Sequence, residues 1–365
     1  MTIGIGIIGT GFARKVQIPA FQSCEGAKIV SVASGSLENA KSTAGEFDVP
    51  HFTADWRETI AREDVELVCI TTPPKLHREM ALAALSAGKH VLCEKPMAMN
   101  VAEASEMTRA AGGADLLALI DHELRFLPGR QHAYRMIRDG SIGKIRHAKC
   151  YFQAPHRGDP TLPWNWWSDA DQGGGALGAI GSHVIDSFHW FLGTSIESVF
   201  CQLQAQIKER PVPGGESRAV TSDDESLMIL RFADGEFVDD ATGVVSISMT
   251  EIPAYKHRVE LYGTEGALAV DARGEVFFAK QGDDDWKEVG VDFGDPIAGV
   301  PDTGFSSGFT VFAPHIIDAI TAGRTSIEHA ATFADGLSVQ RVLDAAHESN
   351  RSGRSIRIEA QAASG

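Results

Sequence analysis

Runs of basic residues are missing from this chain. Lys and Arg number 33 against 49 Asp and Glu, for a formal net charge of −16. A polyanion finds no counter-charge on such a surface, which excludes nucleic acid and anionic membrane as partners. Long apolar runs are missing too; none approaches the roughly 20 residues of a membrane span. Cysteine is scarce. Cys24, Cys69, Cys93, Cys150 and Cys201 show no paired metal-ligand spacing, and three lie in apolar strand-like runs. Reduced, buried thiols of that kind fit a cytoplasmic protein. His183 and His189 are not spaced as paired ligands on one helical face, and no acidic cluster completes a set, so no metal is expected. There is no internal repeat and no low-complexity segment. The N-terminus is apolar at once but has no basic leader, and it reads as a first strand, not a signal peptide.

What is present is ordinary globular composition, 43% hydrophobic and 22% charged over 365 residues, with room for two domains. Ile3 to Ile8 reads as a buried strand. Gly9-Thr10-Gly11 follows, then a helix start at Phe12-Ala13-Arg14. Strand, glycine turn and helix start make a dinucleotide-binding unit: the glycines let the backbone approach a pyrophosphate, and the helix N-terminus offers free N–H groups. Arg14 replaces the usual third glycine, either as a solvated surface residue or as added charge near the phosphates. A second strand, Lys28 to Ala33, ends in Ser34-Gly35-Ser36, with Lys41 close behind. NAD-preferring sites place an acid there for the ribose hydroxyl. Without one, nothing repels a 2′-phosphate, and NADP is favoured over NAD.

Val65 to Ile70 is another strand, ending in Thr71-Thr72-Pro73-Pro74, with His77 opening a helix to Ala87. Two hydroxyls and rigid prolines at a strand end suit a wall against the cofactor; a plain helix start reads equally well from the prolines. Val91 to Cys93 is a short buried strand with Glu94-Lys95-Pro96 at its end. Carboxyl ends of parallel strands face the ligand crevice. Lys95 would point its amine there, partly desolvated, where a neighbouring nicotinamide charge lowers its pKa toward proton-transfer values. A helix covers Val101 to Gly112, and a strand from Leu116 to Ile120 ends at Asp121-His122-Glu123-Leu124-Arg125-Phe126.

These pieces resemble the Gfo/Idh/MocA family of NAD(P)-dependent oxidoreductases, which act mostly on sugars, cyclitols and related polyols. Matching residues are Gly9-Thr10-Gly11, Thr72-Pro73-Pro74 with His77, Gly88-Lys89-His90-Val91, Glu94-Lys95-Pro96, and Leu124-Arg125-Phe126 with Pro128. Gly173-Gly174-Gly175-Ala176-Leu177, Gly181-Ser182-His183-Val184-Ile185-Asp186 and Ala330 to Gly353 continue the match over nearly the whole chain. The resemblance implies that Lys95 is the proton-transfer lysine and His183 the second polar catalytic group. Many members carry an aspartate four residues before that histidine; here the position is Ala179, a departure that removes a carboxylate from the site. Asp186, one helical turn after His183, is expected to brace the helix.

The expected fold class is α/β: an N-terminal Rossmann dinucleotide-binding domain (1–122) plus an α+β C-terminal domain (123–365) with a large, mostly antiparallel open sheet. Its strands read as Lys144 to Gln153, Val199 to Ile207, Glu225 to Phe232, Val244 to Thr250, Arg258 to Tyr262, Ala267 to Val270 and Val276 to Ala279. The resemblance implies a homo-oligomer, dimer or tetramer, through that sheet. The insert His156 to Gln172 carries Trp164, Trp166 and Trp167 among polar residues, which suits a carbohydrate as well as it suits a packed loop. Arg125, Trp164 and Trp167 are expected at the substrate with Lys95 and His183; Glu94, His77, Thr72 and Pro73 are expected at the cofactor. The function expected is hydride transfer between nicotinamide and a carbinol or carbonyl carbon. An NAD-dependent glycosidase and a non-catalytic dinucleotide-binding regulator remain the alternatives.

Overall fold

The computed structural model describes residues 2–359. The chain divides into two units: one takes the chain up to Leu127 together with Phe293–Leu337, the other takes Pro128–Asp292 and the chain from Ser338 on. The sequence reading ends its first domain at residue 122 and gives all the rest to the second. The structure differs because the helix Gly304–Thr321 lays Phe309, Phe312 and Ile316 into the core of the first unit. Phe126 stacks on Phe312 at 4.2 Å, and Phe21 meets Phe309 edge-on at 5.4 Å. Each such buried ring contributes about 1.5–3 kcal/mol of transfer free energy.

The first unit is built on six parallel strands: β1 (Ile3–Ile8), β2 (Ala27–Ala33), β3 (Phe52–Thr53), β4 (Leu67–Ile70), β5 (His90–Cys93) and β6 (Ala118–Ile120). Their order in the sheet is β3-β2-β1-β4-β5-β6. Chain direction through the sheet reverses between β1 and β4, which opens a crevice at the carboxyl ends. The strands are apolar on both faces because both are covered. Ile5, Ile7, Cys69 and Leu92 face the cluster with Phe309; Ile8, Val68, Ile70 and Val91 face Met80, Ala84 and Met107 from the helices His77–Ser86 and Val101–Gly112.

The second unit holds β7 (Ile145–Gln153), β8 (Ile196–Gln204), a hairpin of β9 (Glu209–Pro211) and β10 (Ser217–Ala219), β11 (Glu225–Phe232), β12 (Val238–Ser248), β13 (Lys256–Gly263), β14 (Gly266–Asp271), β15 (Val276–Lys280), β16 (Lys287–Val289) and β17 (Ile356–Arg357). Nine of these form one sheet in the order β16-β15-β14-β13-β7-β12-β11-β8-β17. Every pairing in it is antiparallel except β7 with β12. The helix Pro128–Arg138 packs on β14 and β15, and Ser182–Leu192 packs on β7. Alternation buries one face: Met228, Leu230 and Phe232 point inward on β11, while Leu227 and Ile229 point out. Among the described residues, no helix is long and apolar enough to cross a membrane.

Candidate active site

Gly9 turns the chain at the end of β1. Its φ is +101°, and a Cβ there would lie 2.5 Å from the Thr71 carbonyl oxygen, so only glycine meets both demands. At Gly11 a Cβ would meet nothing within 4 Å; that backbone faces open space. The turn feeds the π-helical segment Ala13–Gln17, which runs on as the helix Ile18–Gln22. Open backbone, unpartnered first N–H groups and the helix dipole fit a pyrophosphate, and with it a dinucleotide. Phe12 packs edge-on to Phe309 at 6.3 Å, and Ala13 is buried. Arg14 is a part-exposed surface residue, 40% exposed in its side chain. Its Nε donates to Glu46 at 2.6 Å in an ion pair, so its charge is met by the protein itself. At the end of β2, Ser36 caps the helix Leu37–Glu46, its Oγ accepting from the Asn39 N–H at 3.3 Å. Gly35, Ser36 and Lys41 are exposed, Ser34 is half-buried, and no carboxylate stands among residues 34–36.

Strands β4, β5 and β6 end in step. Ile70 pairs with Cys93 and Cys93 with Ile120, so the residues that follow stand side by side. The Glu94 N–H donates to the Ile70 carbonyl at 2.9 Å, and the Asp121 N–H to the Cys93 carbonyl at 2.8 Å. Lys95 comes next, half-buried, joined to Pro96 by a cis peptide. His77 is fully buried. Its Nε2 faces the Thr72 carbonyl at 2.8 Å and its Nδ1 the Pro96 carbonyl at 3.1 Å. It therefore ties the loop after β4 to the loop after β5. Burial drives its pKa down against the pull of those carbonyls. Thr72 and Pro73 are half-buried beside it.

Below these loops, Gln17 is buried and donates Nε2 to Asp121 Oδ2 at 2.8 Å and to Glu94 Oε1 at 3.3 Å. Sequence reasoning passed over Gln17 and Asp121. The available signal was that Asp121 follows β6 as Glu94 follows β5. Arg125 is tied to the segment that returns to the first unit. Only 6% exposed, it donates to Asp335 Oδ1 at 3.2 Å and to the His329 carbonyl at 3.3 Å. Burial works against the charged form of Asp335, but Arg125 and the Thr332 donors outweigh it and leave the carboxyl below its ordinary value. These are the contacts of a brace.

In the second unit, His183 is the second residue of Ser182–Leu192, entered through the π-helical turn Leu177–Gly181. His183 and Asp186 are both buried, and the Ser187 hydroxyl donates to the His183 carbonyl at 2.6 Å. Ala179 sits buried in the turn. The head of the turn is held by Asp223, a residue that nothing in the sequence marks: the Leu177 N–H donates to its Oδ2 at 2.7 Å. Gly175 makes room for it. The glycine has φ +121°, and a Cβ would lie 2.3 Å from Asp223 Oδ1. Burial pushes the Asp223 carboxyl up to about 6.

The insert resolves its two readings residue by residue. Trp164 is tied to the β9–β10 hairpin: its backbone N–H donates to Pro211 at 2.8 Å, its indole N–H to Ala219 at 3.1 Å, and Arg218 covers its ring at 3.7 Å. That is the packed-loop arrangement, with the polar end of the ring already used. Trp167 is half-buried, with the Arg157 guanidinium 5.0 Å from its ring centre. Arg210 is buried and donates to the carbonyls of Asp159 and Arg157, which stitches the start of the insert to β9.

Comparison with known proteins adds a second line. Residues 3–122 match the family model of an oxidoreductase family with an NAD-binding Rossmann fold, and residues 130–269 match the GFO/IDH/MocA C-terminal domain. The chain is 30% identical to levoglucosan dehydrogenase of Pseudarthrobacter phenanthrenivorans, covering 95% of this chain and 96% of that protein. It is 30% identical to glucose-fructose oxidoreductase domain-containing protein 2 of Xenopus laevis, covering 98% and 94%. A solved structure of levoglucosan dehydrogenase in complex with NADH and levoglucosan superposes with a TM-score of 0.87 at 28% identity, over 98% of this chain and 100% of that one.

Proposed function

Because the chain belongs to the Gfo/Idh/MocA family of oxidoreductases, we propose that it is an NAD(P)-dependent dehydrogenase or reductase of a sugar, cyclitol or related polyol. The observation that carries the reading is the likeness, along almost the full length of both chains, to a sugar dehydrogenase, with Glu94-Lys95-Pro96 intact at the end of β5. A nicotinamide bound in the crevice would supply the hydride acceptor or donor for the carbinol carbon. As the C–H bond gives up its electron pair and C=O forms, the hydroxyl proton passes to Lys95 Nζ. The resulting ammonium stabilises whatever alkoxide character has developed. His183 is the second polar group for that proton. Gly9, Gly11 and the helix from Ala13 hold the pyrophosphate; Thr72 and Pro73 form the wall, positioned by His77. Trp167 offers a ring to the sugar; Trp164 and Arg125 hold the loops in place.

The serine loop supports NADP beside NAD, with NADP favoured, since Ser34, Gly35 and Ser36 carry no charge against a 2′-phosphate and Lys41 lies exposed nearby. The outer face of the second sheet supports a homo-oligomer. Ile229 (58% exposed) stands opposite Val244, and Leu227 stands in line with Ser246 and Tyr151; an apolar strip of that kind is covered in a stable assembly. The four buried thiols, Cys69, Cys93, Cys150 and Cys201, suit a reducing cytoplasm.

Absorbance of NAD(P)H against a panel of sugars, anhydrosugars and polyols tests the central reading. Net cofactor turnover with at least one of them is expected. Sugar release without net turnover, or binding without either, overturns it. Sedimentation of Ile229→Lys tests the sheet: a species of lower mass than the wild type is expected.

A further inference from the structure

Two acids leave the first sheet as neighbours, and the hydride and proton steps above leave both without a task. Glu94 and Asp121 follow the paired residues Cys93 and Ile120, and both are buried. One side-chain amide nitrogen reaches both carboxyl groups, which brings them close together in a buried site. Two ionised carboxylates held that close repel, so the pair keeps one proton. Gln17 Nε2 donates to both, at 2.8 Å to Asp121 and 3.3 Å to Glu94. That donor stabilises one negative charge on the pair; burying a second would cost several kcal/mol more.

The groups facing the pair are Lys95 beside Glu94, Glu123 beside Asp121, and the thiols of Cys69 on β4 and Cys93 on β5. Burial keeps both thiols neutral, so they add no charge. Burial, then Glu123 and Glu94, pushes Asp121 well above the ordinary carboxyl range. Burial also raises Glu94, but Lys95 opposes it. The proton accordingly sits on Asp121 and the charge on Glu94.

We propose that Glu94, Asp121 and Gln17 form a one-proton carboxyl pair whose single negative charge lies under the nicotinamide end of the site and favours the oxidised cofactor over the reduced one. The proposal rests on the dinucleotide reading given above. With the pyrophosphate at the β1 turn and the adenosine ribose toward β2, the nicotinamide lies toward β4, β5 and β6. The oxidised ring carries a positive charge that the reduced ring lacks. A desolvated carboxylate at that edge distinguishes the two, because charges interact more strongly there than in water. Asp121 is a positioning residue in this account: it acts through Glu94, by holding the pair at one charge.

The test is the ratio of dissociation constants for oxidised and reduced cofactor, measured by fluorescence titration at pH 8 for three proteins. Asp121→Asn replaces the protonated acid by a neutral donor and keeps the charge on Glu94, so its ratio stays within about twofold of wild type. The double variant Glu94→Gln, Asp121→Asn has no charge, and its affinity for the oxidised form falls on the order of tenfold while the reduced form is held as before. An unchanged ratio in the double variant overturns the proposal, as does a shift in Asp121→Asn as large as the double variant's. Failure of the wild type to bind either form overturns the cofactor reading and the proposal with it. Infrared spectroscopy of the wild type reads the proton directly, without relying on the folding of the double variant. A neutral carboxylic acid C=O band at pH 8 that is lost in Asp121→Asn is expected; a wild type without the band overturns the proposal.

Discussion

Asp223 offers a pH test of how the helix carrying His183 is held. Its carboxyl titrates near 6 in the folded chain against an ordinary 3.8, chiefly because it is buried. The folded state therefore binds this proton more tightly than the unfolded state does. Stability from the group is fully present below about pH 4, is lost as pH rises through about 6, and stays lost above. At about 1.4 kcal/mol per pH unit, the gap amounts to about 3 kcal/mol at neutral pH. Asp223→Asn does not ionise, and it keeps one oxygen for the Leu177 N–H. The difference in stability between variant and wild type should thus move by about 2.5 kcal/mol in the variant's favour between pH 4 and pH 7. Urea unfolding followed by tryptophan fluorescence reports on the right unit: Trp164, Trp166, Trp167, Trp190 and Trp286 lie in the second unit and only Trp56 in the first. A difference that stays constant with pH refutes the burial account of Asp223.

Lys95→Met should lower turnover by about 10²–10⁴ with cofactor affinity little changed; near-native turnover would falsify the proton-transfer role. His183→Ala should fall by a similar order, and the double variant by less than the product, as groups acting on one proton do. Ser36→Asp should shift preference to NAD by repelling the 2′-phosphate. Asp caps a helix as well as Ser does, so unchanged NADP affinity in a normally folded variant counts against the placement of that loop. Arg125→Ala should cost about 1–2 kcal/mol in thermal or urea unfolding, less than the 3–5 of a fully buried pair, because the Asp335 side chain is 37% exposed. A raised KM at unchanged stability would return Arg125 to the substrate.

The parts of the fold legible in sequence are those whose pattern is local. Ile3–Ile8 and Val91–Cys93 are continuous apolar runs, as strands covered on both faces must be, and Glu94-Lys95-Pro96 marks a strand end by its own chemistry. β3 is two residues long and β16 three, too short for any period to show. The first half of β12 escapes because its register shifts between Val238 and Thr242 and Asp240 takes φ +44°, which breaks the alternation. The site is legible where one segment supplies it and hidden where distant segments meet. Gln17 stands 77 residues from Glu94 and 104 from Asp121, and Arg125 stands 210 from Asp335. The setting of Trp164 is hidden in the same way, since its indole N–H reaches Ala219, 55 residues on.

The return of Phe293–Leu337 to the first unit also sets the order in which the chain can be finished. A ribosome adds roughly 5–20 residues per second, so Phe309 is made roughly 10–35 s after Leu127. Throughout that interval eight of the nine strands of the second sheet are being synthesised, all but β17, while Ile5, Ile7 and Leu92 lack the rings of Phe309 and Phe312. Until then that face of the sheet has only the early residues, Val16, Ile18 and Phe21 among them, to cover it. The second unit waits in turn for the chain from Ser338 on, where β17 pairs with β8 and the Ser349 hydroxyl accepts from the Cys201 N–H. Each half thus closes only with a later segment, and a chain cut after β16 would keep every strand of the nucleotide sheet yet lack Phe309, Phe312 and Ile316 from its core.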